Sequence, residues 1–309
     1  MENDALCKPV RSVRSGKGPG SRDRLWALLF IGPTVAGLYA FFIYPIFASF
    51  YISLTRWDNL NPPSFVGLEN YARLFRDKAV AGEFLNTLFF VAILVPLVLI
   101  LSLLLANSLN RKHPANGALR TAFFLPYIML PVVAAIVWML MFNSRYGLVN
   151  IVLGWFSLPQ PAWLANEWLV RLIVVVVSLW ASLGYYSIII LAGLQNIPKD
   201  YYEACELDGI SRRRQFLHIT VPLVTPQLFF VAVISTIALF QMFDLVYVFG
   251  RTNIFILNSI RTLPYGIYER AFTFNDMGYA SATAIVFCAV ILAVTVAQNT
   301  FQKKWVHYG

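Results

Sequence analysis

Six long apolar blocks alternate with short polar connections along the chain: Leu25–Leu54, Asn86–Leu109, Thr121–Phe142, Trp168–Leu194, Val221–Phe243 and Tyr279–Phe301. Each holds roughly the 20 mostly apolar residues that a helix needs to cross a bilayer. The pattern predicts an all-α polytopic membrane protein with six transmembrane helices. Prolines fall inside several blocks (Pro33, Pro45, Pro96, Pro126, Pro131), where neighbouring helices re-satisfy the backbone groups that a proline frees. The expected organisation is a disordered basic tail over 1–24, a transmembrane domain over 25–301 and a short tail over 302–309. The basic head resembles the start of a signal peptide. The apolar run behind it is too long and lacks a small-residue cleavage site, so it reads as a retained first span.

The polar segment from Pro198 to Pro222, between the fourth and fifth blocks, breaks the pattern most sharply. Pro198 suits a first helical turn, and Asp200 and Glu203 favour the positive end of a helix dipole. Tyr201, Ala204 and Cys205 recur at helical spacing with Leu207 beside them, which predicts one apolar stripe. Gly209 permits the left-handed turn that ends a helix. Ser211 is placed to cap a second helix from Arg212, and Pro222 marks the start of the next span. A short helix lying across the membrane face, presented to a partner protein, explains this segment better than a solvated loop does.

Charge fixes the expected topology. The chain has 309 residues, 13% of them charged, with a formal net charge of +9; soluble domains carry about 25% charged residues. An even number of spans puts both termini on one side. That side then holds Lys8, Arg11, Arg14, Lys17, Arg22, Arg24, Arg111, Lys112, Arg120, Lys199, Arg212, Arg213, Arg214, Lys303 and Lys304, a surplus that sits close to the span ends. The opposite segments hold Arg56, Arg73, Arg76, Lys78, Arg145, Arg251, Arg261 and Arg270. The positive-inside bias makes the crowded side, with both termini and the 198–222 segment, cytoplasmic. No separate basic, aromatic-interleaved surface suggests nucleic-acid binding.

Catalytic constellations are absent from the sequence. His113, His218 and His307 are far apart, and neither HExxH nor GxSxG occurs. Ser15-Gly16-Lys17-Gly18 lacks phosphate-loop spacing. Cys7, Cys205 and Cys288 have no CxxC or zinc spacing and read as small apolar side chains. The chain is therefore expected to be no enzyme and to hold no metal. Its spans are poor in ionisable groups, which weakens a self-powered, ion-coupled carrier.

Glu203-Ala204-Cys205-x3-Gly209-x9-Ile219-x-Val221-Pro222 resembles the signature loop of the permease subunits of binding-protein-dependent ABC importers. That family's pattern has Ala and Leu where this chain has Cys205 and Val221. Further stretches resemble the carbohydrate-uptake branch, the maltose and glycerol-phosphate permease type: Phe124-Leu125-Pro126 with Val137-Trp138, Gly147-Leu148-Val149-Asn150, Ala192 to Pro198, and Gly278-Tyr279-Ala280-Ser281-Ala282. The similarity runs from about Leu25 to the C-terminus. Gly250-Arg251-Thr252-Asn253 departs from the family's Thr-x-Gly-Gly-Pro, which leaves the outer-loop contact with a binding protein open.

The resemblance implies a membrane-spanning subunit of an ATP-driven importer in the bacterial cytoplasmic membrane. Its expected partners are a second homologous permease, two ATPase subunits carrying ATP and Mg, an external solute-binding protein and the bilayer. It also implies that the 198–222 segment contains a cytoplasmic coupling helix. Its expected ATPase-coupling residues are Lys199, Asp200, Tyr201, Tyr202, Glu203, Ala204, Cys205, Asp208, Gly209, Arg212, Arg213 and Pro222. Sugars are bound by flat aromatic faces and neutral hydrogen-bonding side chains. By similarity to maltose-type permeases, the expected substrate-binding residues are Trp180, Ser182 and Tyr185 in the fourth block and Ser235, Leu239, Gln241, Met242 and Asp244 in the fifth. Trp138 and Tyr186 are further candidates, and Asp244 also reads as a charge at the outer interface. A sugar, polyol or oligosaccharide is the expected cargo. The alternatives are a glycerol-phosphate-type ligand, a self-contained secondary carrier and, in a third class, a membrane enzyme or scaffold.

Overall fold

The computed structural model describes residues 21–111, 113–251 and 254–305. Cys7, Ser15-Gly16-Lys17-Gly18, Lys112, Thr252, Asn253 and His307, which entered the sequence reading, lie outside the described residues, as does most of each expected tail. The chain divides into two compact units, residues 1–51 and 52–309.

The described residues of the first unit are helical. Helix α1 (Ser21–Leu38) begins four residues before the expected apolar block and passes through a π-helical turn, Tyr39–Ile43, into α2 (Tyr44–Ser53). The wide turn directly precedes Pro45. A proline has no N–H for the carbonyl four residues back, here Phe41, and its ring clashes there, so the helix widens locally. Along α2 the chain enters the second unit.

The second unit opens with a small antiparallel hairpin, β1 (Thr55–Arg56) and β2 (Ser64–Phe65), followed by α3 (Glu69–Leu74). Helix α4 (Lys78–Leu109) is the central element. It starts where the Asp77 carboxylate accepts a hydrogen bond from the Ala79 amide at 2.8 Å, a side-chain cap on an otherwise orphaned donor. Its buried positions, Val80, Glu83, Thr87, Phe90, Leu94 and Val98, recur every three or four residues, the spacing of one helix face. That face packs along α8 (Glu167–Gln195) and α12 (Thr225–Phe240). In lipid the surroundings are as apolar as the helix, so close van der Waals packing rather than water exclusion holds such helices together.

The third block departs from the expected single straight span. It forms α5 (Asn116–Ile128) and α6 (Pro131–Met141), bent by 98°. Leu130 is extended, at φ −60° and ψ 125°, and Pro131 opens the new helix. A residue before proline is driven out of the helical region, and proline is tolerated at a first turn because it lacks the N–H that would be orphaned there. Helix α5 lies against α8 so closely that a Cβ on Gly184 would sit 1.8 Å from the Phe123 carbonyl oxygen. Helix α7 (Leu148–Trp155) follows. Asn150 in it donates to the Ser144 and Pro161 carbonyls, and its Oδ1 accepts from Trp163 Nε1 at 2.7 Å.

After α8 come α9 (Asp200–Leu207), α10 (Arg212–Gln215), a π-helical turn over Phe216–Thr220, and α11 (Val221–Leu223). The fifth span covers Thr225–Gly250, as α12 and then α13 (Asp244–Gly250), with Gln241–Phe243 unwound between them. It starts later and ends later than the block Val221–Phe243. Helices α14 (Ile254–Ile260) and α15 (Leu263–Tyr268) and a π-helical turn over Glu269–Thr273 lead to α16 (Met277–Trp305), which enters the stretch expected as a C-terminal tail. Among the described residues, five helices are long and apolar enough to cross a membrane, or six when the bent pair counts as one span.

A cluster of charges is buried just outside the expected apolar blocks. Glu83 and Arg270, 2% and 5% exposed, form a two-pronged ion pair at 2.8 and 2.9 Å. Arg261 Nε lies 3.0 Å from Glu83 Oε1, the oxygen that Arg270 Nη2 also reaches, and its guanidinium donates to Glu269. Nearby, Arg171 donates to the Ser259 carbonyl and to Asn86, while the Tyr279 hydroxyl donates to Asp77 at 2.7 Å. Burial raises the Asp77 carboxyl, but the Tyr279 hydroxyl, the Ala79 amide and the Arg270 charge outweigh it and leave it below the usual carboxylate range. Arg261 and Arg270 are thus joints between α4 and the segments around α15, and not only loop charges.

Candidate functional site

Two places stand out in the second unit. The first is helix α9. Its inner face is Tyr202 and Cys205: Cys205 is 6% exposed, and the Tyr202 hydroxyl shares a hydrogen bond with Thr220 at 3.0 Å. Tyr202 also packs on the apolar cluster that contains Ala106, Leu109, Leu194 and Ile197. The outer face is Tyr201, Ala204 and Leu207, with Leu207 90% exposed. The single stripe expected over Tyr201, Ala204, Cys205 and Leu207 is therefore split. Adjacent residues differ by about 100° around a helix, so Ala204 and Cys205 look in different directions.

The end of α9 is firmly set. Gly209 adopts φ +66°, the left-handed region that costs a residue with a Cβ about 1–2 kcal/mol. The Ile210 amide donates to the Cys205 carbonyl at 2.9 Å and the Gly209 amide to Glu206 at 3.2 Å. These two bonds make a Schellman cap, as the glycine predicted. Ser211 does precede α10, but its side chain makes no capping bond; instead Gln215 Nε2 donates to the Ile210 carbonyl at 2.9 Å and ties the bend together. Pro198 lies two residues before α9 rather than in its first turn, and Lys199 is its N-cap residue. Lys199, Asp200, Glu203, Asp208, Arg212 and Arg213 are all exposed around this rod, and Pro222 lies in the short helix α11.

The second place is a cavity of about 290 Å³ where both broken helices break. The α5–α6 elbow contributes Tyr127, Met129 and Pro131, the unwound stretch after α12 contributes Gln241, Met242 and Phe243, and α8 closes the side with Ser178 and Ser182. Irregular backbone at membrane depth is tolerated only where it is buried in protein or lines a cavity. Here Thr262 Oγ1 donates to the Met242 carbonyl at 2.9 Å and satisfies part of the break. Ser182 Oγ donates to the Ser178 carbonyl at 2.7 Å. Asp244 is half-buried on the cavity wall. Among the described residues no lysine or arginine lines the cavity.

Of the expected substrate residues, Ser182, Leu239, Gln241, Met242 and Asp244 line this cavity, as does Tyr186. Trp180, Tyr185 and Ser235 do not. Trp180 packs edge-on against Trp138 with ring centroids 5.4 Å apart. Tyr185 stacks on Tyr127 at 4.2 Å and an interplanar angle of 4°, so it backs a wall residue. Ser235 is fully buried and donates to Ala232 at 3.2 Å. Tyr127, Met129, Pro131 and Ser178 escaped the sequence reading. The signal for the elbow residues was the proline pair Pro126 and Pro131, which was read only as tolerated.

Residues 71–307 match the family described as binding-protein-dependent transport system inner membrane component. The chain is 34% identical over 310 residues to a probable ABC transporter permease protein, YesP, of Bacillus subtilis, covering 99% of this chain and 96% of that one. It is 33% identical to the arabinooligosaccharides transport system permease protein AraP of the same organism, covering 93% of each. Its fold is similar to a chain of a bacterial alginate ABC transporter solved with an alginate pentasaccharide-bound periplasmic protein, with a TM-score of 0.82, 21% identity, and 93% and 97% of the two chains covered.

Proposed function

This chain belongs to the binding-protein-dependent transport system inner membrane components, and on that premise we propose that it forms the translocation path of an ATP-driven importer for a neutral sugar, polyol or oligosaccharide. In this reading it works beside a second homologous permease. Two ATPase subunits, which carry ATP and Mg, dock on its cytoplasmic side, and an external binding protein delivers the cargo. Both termini and α9 face the cytoplasm. The chain hydrolyses nothing itself.

The observation that carries the proposal is the two-faced α9. Tyr202 and Cys205 fix it to the spans, and Tyr201, Ala204 and Leu207 face outward. A helix anchored on one face, apolar on the other and rigidly capped suits the transmission of a push or pull. Motion of the partner's groove would pass through Tyr202 and Thr220 into α8 and α12, the helices that wall the cavity. Glu203 and the Arg212–Arg213 rim supply polar contacts around the apolar centre.

Cargo class is supported by the cavity and by the relatives. Hydroxyls on Tyr127, Ser178 and Ser182, the Gln241 amide and the Asp244 carboxylate are acceptors and donors for hydroxyl groups. A phosphate ester would meet Asp244 with no cation among the described residues that line the cavity. That favours the neutral ligand over the glycerol-phosphate type.

The test is reconstitution. The chain, co-expressed with its partner subunits and placed in vesicles, is expected to take up a neutral sugar only with ATP and the binding protein. Leu207→Asp is expected to weaken ATPase attachment about thirtyfold, or ~2 kcal/mol, while the chain still inserts. Uptake without ATPase subunits, driven by an ion gradient, would make the chain a secondary carrier instead.

A further inference from the structure

Away from both places described above, Arg111, His113, Asn116, Arg120 and Gln195 line an open cavity of about 560 Å³ where the end of α4, the start of α5 and the end of α8 meet. Leu109 is the last residue of the α4 span, so the cavity lies at the level where the hydrocarbon core gives way to headgroups.

The charge there is uncompensated. The sequence has no Asp or Glu from Phe84 to Asn166, and among the described residues neither Arg111 nor Arg120 makes an ion pair. Helix capping uses only part of the donor set. Arg120 Nη2 and Asn116 Nδ2 donate to the Leu109 carbonyl at 3.3 and 3.1 Å, which satisfies the end of α4. Arg120 Nε is buried and has no hydrogen-bond partner among the described residues. His113 Nδ1 accepts from the Ala115 amide at 3.1 Å, so the neutral ring carries its proton on Nε2 and is a donor there. Both hydrogens of Asn116 Nδ2 are taken, by the Leu109 and Arg111 carbonyls; the two guanidinium groups, the ring N–H and the side-chain amides of Asn110 and Gln195, with no carboxylate among the lining residues, match the oxygens of a phosphate ester.

We propose that this cavity binds a phosphate group at the membrane surface, supplied by the headgroup of an anionic phospholipid. Basic pockets between spans at the interface are suited to such headgroups, and each arginine near the surface contributes about fivefold in affinity. The site is distinct from the cargo cavity, whose wall carries an acid and no arginine.

Native mass spectrometry of the assembled transporter, with phosphatidylglycerol or phosphatidylcholine added, tests this. The wild type is expected to retain phosphatidylglycerol in preference to phosphatidylcholine. Arg111→Gln and Arg120→Gln are each expected to weaken that retention about fivefold, and the double variant about twenty-fivefold, with phosphatidylcholine unaffected. If Arg120→Gln fails to assemble because the α4 cap is lost, Arg111→Gln, at an exposed position, carries the test alone. Titration with inorganic phosphate separates the sources. Arginine-dependent binding of phosphate without any lipid preference would assign the same pocket to the free anion and overturn the lipid source. Equal retention of both lipids, unchanged in the variants and indifferent to phosphate, would overturn the proposal entirely.

Discussion

Helix α4 runs between two ends of very different character. Around Glu83 the polar groups are buried and satisfy one another: Glu83 with Arg270 and Arg261, Asp77 with Tyr279, Arg171 with Asn86 and Ser259. Around Leu109 and α9 the surface is left unfinished, with Leu207, Tyr201 and three consecutive arginines exposed. A chain that spends its charges internally at one end builds a rigid joint. A chain that leaves apolar and cationic groups without partners at the other end is made to be completed by something else. That contrast is the physical basis for proposing an ATPase contact at α9 rather than at the end that holds Glu83.

The contrast breaks most severely if Glu83 is neutralised. Glu83→Leu strands Arg270 in a buried site, and removing one partner of a buried pair costs about 3–5 kcal/mol. Loss of folded protein in detergent melts should therefore far exceed that of any α9 variant; a melt unchanged from wild type would show that the joint is not structural. Next comes Leu207→Asp. An aspartate there would bury an unpaired charge in an apolar contact, so attachment of the ATPase subunit is expected to weaken about thirtyfold, or ~2 kcal/mol, at unchanged thermal stability. Gly209→Ala is smaller, about 1–2 kcal/mol against the α9 cap, visible as partial loss of ATP-coupled uptake with insertion intact.

The cargo cavity gives the smallest effects and sharpens the reading of its wall. Asp244→Asn is expected to reduce apparent cargo affinity by about 1 kcal/mol, or fivefold, without loosening the ATPase. Tyr127→Ala should lower transport more than Tyr185→Ala, since Tyr127 faces the cavity and Tyr185 only backs it. The opposite order, measured as uptake kinetics, would return Tyr185 to the lining.

Much of the architecture was legible in the sequence because apolar block length fixes the spans and Gly209 can only be a left-handed stop at that point in a helix. The C-terminal bound of α9 followed from local chemistry alone, while its start lies two residues beyond Pro198. Two kinds of information were not local. The ion pair between Glu83 and Arg270 joins residues 187 apart, and each alone reads as a charge near a span end. The elbow at Leu130 was hidden because the run Thr121–Phe142 is apolar on both sides of the bend, so its hydropathy carries no mark of direction. In α9 the stripe was misassigned for a related reason: Ala204 and Cys205 are both small, and composition does not say which faces the protein.

The most direct test is a crosslink from position 207. In a background with Cys7, Cys205 and Cys288 replaced by alanine, Leu207→Cys in the assembled transporter should crosslink to the ATPase subunit through a short bifunctional reagent, and should resist a membrane-impermeant thiol reagent added outside intact cells. Labelling of that cysteine from outside, or no crosslink in a complex that still couples ATP to uptake, would contradict the assignment of α9 as the rod that receives the stroke.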